Sequence, residues 1–70
     1  MSEEKSIEEL VDEMIEFTEK AGGNIDMYVG MCEKSVADAK ENLDGSEEAQ
    51  KIYEDAKEFL RIAELRLDEA

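Results

Sequence analysis

Six carboxylates recur near the start of the chain: Glu8, Glu9, Asp12, Glu13, Glu16 and Glu19. At 3.6 residues per turn they share one side of a helix, and no base stands among them before Lys20. Such a ridge suits three tasks: docking on a basic protein, imitating a nucleic-acid backbone, or weakly collecting divalent cations. The plainer reading is a solvated face that keeps the chain soluble. What distinguishes this ridge is the lack of interleaved lysines, whose i,i+4 pairs normally support an acidic helix face.

Other reactive residues are few. Cys32 is the only cysteine and histidine is absent, so a cysteine nucleophile would lack its usual base. Cys32 falls between Tyr28 and Val36 on an apolar stripe, which points to a small buried hydrophobe. One thiolate without histidine cannot build a structural zinc tetrahedron, and no disulfide can form within the chain. The turn "NLDGSEE" at 42–48 gathers Asn42, Asp44, Ser46, Glu47 and Glu48. It lacks the ligand register of an EF-hand, and two helix caps account for its residues. No metal site and no cofactor site is readable. Paired carboxylates lie only on convex helix faces, so the sequence reads as a protein without catalytic activity.

Two apolar features lie off the main stripes. Ile62 and Leu65, i and i+3 near the C-terminus, form a candidate contact patch and homodimer seam on an otherwise acidic face, beside the plainer reading of two exposed aliphatics. Met27 and Met31 lie beside the stripe of the central segment. Counted back through the Gly22-Gly23 turn, Met31 comes level with Met14 and Met27 with Thr18, so they are expected to pack between the first two helices.

Caps and periodicity set the elements that carry these residues. Ser6 with Glu9 forms a capping box before Ile7, Leu10, Val11, Met14, Ile15, Phe17 and Ala21, which fill an arc of about 160°. Gly22 and Gly23 end this first helix. Asn24 caps a second, whose stripe is Ile25, Tyr28, Val29, Cys32, Val36, Ala39 and Leu43. Alternation of Ile25, Met27, Val29 and Met31 also resembles a strand, but no second strand is available to pair with it. Gly30 is the weak point of the helix, or a place where another backbone comes close. Ser46 caps a third, with a stripe of Ala49, Ile52, Tyr53, Ala56, Phe59, Leu60, Ala63, Leu67 and Ala70.

The expected helices are 7–21, 25–44 and 47–69, with residues 1–5 flexible. Short connections make consecutive helices antiparallel, giving an all-α, up-down-up three-helix bundle in a single domain over 1–70. The third helix, the longest, is expected to overhang the first.

The totals narrow function further. Twenty-one acids against 8 bases in 70 residues give a net charge of −13, which repels nucleic acid and anionic membranes. No apolar run approaches the roughly 20 residues that cross a bilayer. The free cysteine, with no leader segment in view, points to a reducing cytoplasm. A core this small yields only about 3–5 kcal/mol, so good helix packing or a partner must supplement it. The leading expectation is a small acidic protein that binds another protein through the ridge, which suits a basic partner, or through the Ile62/Leu65 patch. Its rivals are a self-associating subunit and an acidic nucleic-acid mimic that inhibits a DNA-binding protein.

Overall fold

A computed structural model of the chain describes residues 4–69, which form three helices and, among the described residues, no strand. Helix α1 spans Ile7–Lys20, α2 Ile25–Glu41 and α3 Glu47–Glu69. The expected flexibility of residues 1–3 lies outside the described residues. Lys5 reaches the Glu13 carboxylate.

Each helix starts where a side-chain oxygen takes up a free backbone N–H. Glu9 N–H donates to Ser6 Oγ at 3.2 Å, Met27 N–H to Asn24 Oδ1 at 3.0 Å, and Ala49 N–H to Ser46 Oγ at 3.1 Å. Helix α1 closes in a Schellman turn: Gly23 N–H donates to Thr18 O at 2.9 Å and Gly22 N–H to Glu19 O at 3.0 Å. Gly22 takes the positive φ of +94° that this turn requires. Helix α2 stops at Glu41, three residues before the expected Asp44. The Asn42 side-chain amide donates to Asp38 O and competes with helical continuation.

Interhelical contact is most extensive between α2 and α3, while α1 rests on both over a smaller area. The core joins Val11 and Ile15 of α1, Tyr28, Val29 and Cys32 of α2, and Ile62 and Ala63 of α3. No buried side-chain polar atom lacks a hydrogen-bond partner among the described residues. The molecule is a slab of 37 × 33 × 21 Å.

Several core assignments change. Ile62, expected at the surface, is 2 % exposed and central to the core. Ile52, expected in the core, is 55 % exposed. Both shifts have one cause. Helix α1 has 14 residues and α3 has 23, so α1 covers only part of α3. Its core residues Val11 and Ile15 cluster with Ile62 and Ala63, turning that part of α3 inward. The stretch around Ile52 is left uncovered. Met27 and Met31 are likewise exposed rather than packed between α1 and α2, although Met27 does sit level with Thr18: a Cβ on Gly23 would lie 2.9 Å from Thr18 Cγ2 and 3.0 Å from Met27 Sδ. On α1, burial follows the Val11/Ile15 edge of the apolar arc. Leu10, Met14 and Phe17, on the opposite edge, stay exposed.

Candidate functional site

The partial cover of α3 leaves a groove of about 560 Å³ among the three helices. Leu10 and Met14 of α1 form one wall. Helix α2 contributes Tyr28, Met31, Cys32 and Ser35, and α3 contributes Ile52, Asp55, Ala56 and Phe59. Tyr28 and Cys32 are buried at its base, while Met31 and Ile52 are each 55 % exposed at its mouth. Among the described residues Asp55 is the one charged side chain in the lining.

The floor is chemically quiet. Burial pushes the Tyr28 hydroxyl's pKa up, and the neighbouring Cys32 adds to the rise. Burial also raises the Cys32 thiol, against a smaller opposing effect of the Tyr28 hydroxyl. A nucleophilic cysteine needs the opposite shift. The groove therefore offers apolar contact and a neutral thiol.

The acidic ridge is less bare than its sequence. Arg66 of α3 crosses to it, with Nε 2.7 Å from Asp12 Oδ1 and Nη2 3.9 Å from Glu8 Oε2. Lys5 pairs with Glu13, and Lys20 lies 3.2 Å from Glu16. Among the described residues only Glu9 and Glu19 of the six have no cation within 4 Å. The proposed apolar patch is corrected more sharply. Ile62 lies inside, so Leu65, 47 % exposed, stands without its partner. In the 42–48 turn, Asp44 Oδ1 accepts the Ser46 N–H at 3.0 Å, and the Ser46 hydrogen bonds hold the Asp44 carboxyl below its ordinary pKa. The side chains of Asn42, Asp44 and Ser46 are thus used in capping and turn hydrogen bonds.

Sequence reasoning placed Leu10, Met14 and Ile52 on buried stripes and Met31 in a packed seam. Their convergence on one open groove depends on how far α1 reaches along α3, which no local spacing encodes. The available signal was an apolar excess: wide arcs and paired methionines in a chain too small to bury them all.

No protein-family model matches the chain, and no curated protein or solved structure matches it.

Proposed function

We propose that this protein is a small, acidic, non-catalytic domain that acts by binding another protein through the groove between its helices. One observation carries the reading: Leu10, Met14, Met31 and Ile52, exposed apolar side chains from all three helices, meet at a single cleft. Scattered apolar residues are ordinary on a protein surface, but a contiguous apolar cleft commonly marks a binding site. The net charge of −13 favours a basic partner and disfavours nucleic acid.

The acidic ridge is the weaker candidate, since Arg66, Lys5 and Lys20 already engage four of its six acids. A homodimer seam at Ile62 and Leu65 loses its motive with Ile62 inside. The raised Cys32 thiol supports a non-enzymatic role, and a single buried free thiol suits a reducing cytoplasm. The short connections at 21–24 and 42–46 favour the up-down-up order of helices.

Affinity capture from the native cell tests the reading, with wild type compared against the M31E/I52E pair and an L65E control. Proteins retained by wild type and L65E but lost with the groove pair are the expected result. Identical capture by all three, or none above background, would overturn it.

A further inference from the structure

We infer that the occupant of the groove is a basic amphipathic helix of about two to three turns, presenting one apolar face; this rests on the groove being the binding site.

The walls decide the backbone form of the partner. All three are helices, whose backbone N–H and C=O groups are bonded within the helix. An extended peptide would find no sheet edge to pair with, and its own backbone groups would be covered without partners. A helix satisfies its backbone internally and brings only side chains to the interface.

Dimensions agree. The lining runs from Tyr28 to Ser35 on α2 and from Ile52 to Phe59 on α3, which at 1.5 Å per residue is about 10 Å on each wall. Two turns of a partner fit along that length, placing apolar side chains at i, i+3 or i+4, and i+7 in the cleft. Met14 and Met31 give the mouth unbranched thioethers that can adapt to different apolar side chains.

Charge selects among apolar occupants. Asp55 lies in the lining. By helical spacing, Glu48 stands one turn before Ile52 on the same face of α3, and Asp38 one turn after Ser35 on α2. None of these three has a cation within 4 Å among the described residues. Lys34 and Lys51 stand one turn before Asp38 and Asp55, but neither comes within 4 Å of a carboxylate among the described residues, and the whole chain still carries −13. A fatty acid would bring a carboxylate to this rim, and a second copy would bring another −13. Lysines and arginines flanking an apolar stripe are attracted instead.

The test is fluorescence anisotropy of the full chain with a labelled Leu/Lys peptide of about 14 residues, patterned as an amphipathic helix, at about 0.15 M salt. A scrambled peptide of the same composition measures simple charge attraction, and a Leu/Glu peptide of the same pattern measures apolar attraction. The patterned basic peptide should bind at least about tenfold tighter than either and gain helical circular dichroism on binding. M31E should weaken it about tenfold although the substitution adds negative charge, and D55K should weaken it too. Equal binding of the scrambled peptide, tighter binding of the Leu/Glu peptide, or indifference to M31E overturns the inference. So does a dimer in sedimentation that M31E dissociates, which identifies a second copy as the occupant. If the peptides fail but native capture still depends on Met31 and Ile52, the helical occupant alone falls; if both fail, the binding role of the groove falls with it.

Discussion

Arg66 on α3 and Asp12 on α1, 54 positions apart in sequence, are joined by a hydrogen-bonded ion pair: Nε lies 2.7 Å from Oδ1 and Nη2 3.5 Å from Oδ2. Arg66 also holds Glu69 at 3.2 Å on its own helix. One guanidinium therefore links the end of α3 to the acidic face of α1 and stands among three carboxylates, Glu8 and Asp12 of α1 and Glu69 of α3, that would otherwise repel one another.

Replacing Arg66 by methionine keeps most of the apolar stem and removes the charge. The Tm should fall by roughly 2–5 °C at low salt, as expected for a partly solvated pair. The loss should shrink by about half in 0.5 M salt, where the Debye length is only about 4 Å. R66K should recover part of it, keeping the charge but not the two-pronged geometry. Melting curves at two salt concentrations check this; a loss independent of salt would assign the effect to packing.

Ile62 and Leu65 should separate cleanly in stability. I62A removes a side chain that is 2 % exposed and should cost about 2–5 kcal/mol, comparable with all that a core of this size supplies. L65A, at a position 47 % exposed, should stay within about 0.5 kcal/mol of wild type. Urea titrations followed by circular dichroism decide the matter. Similar midpoints for the two variants would mean that Ile62 is not a core residue.

The contrast between these two residues marks where sequence reading stops. Helix starts were legible at Ser6, Asn24 and Ser46 because a cap is a bond between neighbours in sequence. The Gly22-Gly23 stop was legible for the same reason. The buried face of α3 was not, since Ile52 belongs to its apolar stripe and Ile62 lies off it, yet Ile62 is packed against α1 and Ile52 is left bare. The groove follows from that unequal cover. The partners of the ridge were equally hidden, because nothing near Asp12 in sequence announces Arg66.

Gly30 and Gly22 should respond in opposite directions to alanine. A Cβ at Gly30 meets nothing within 4 Å, so no neighbouring backbone requires the glycine. G30A should stabilise the protein by about 0.5–1 kcal/mol through helix propensity. Gly22 also has open space, but its φ is +94°, and G22A should cost about 1–2 kcal/mol. Denaturation midpoints of both variants test the pair; destabilisation by G30A would reveal a contact that the open space denies.

Alkaline pH should expose the buried pair beneath the groove. Tyr28 and Cys32 hold their protons more tightly in the folded chain than in the unfolded one, where the ordinary values are 10.0 and 9.0. Their contribution is fully present below pH 9.0 and is lost as pH rises, because the unfolded chain then releases protons that the folded chain retains. Stability should therefore decline from about pH 9, first through the thiol and then, above 10, through the phenol as well. C32A removes the first part of the decline, and Y28F, which keeps the ring, flattens the second. Urea midpoints between pH 8 and 11 at fixed high salt, which damps the repulsion among the surface acids, measure both. A Y28F/C32A double variant that declines as steeply as wild type would place the alkaline loss elsewhere than under the groove.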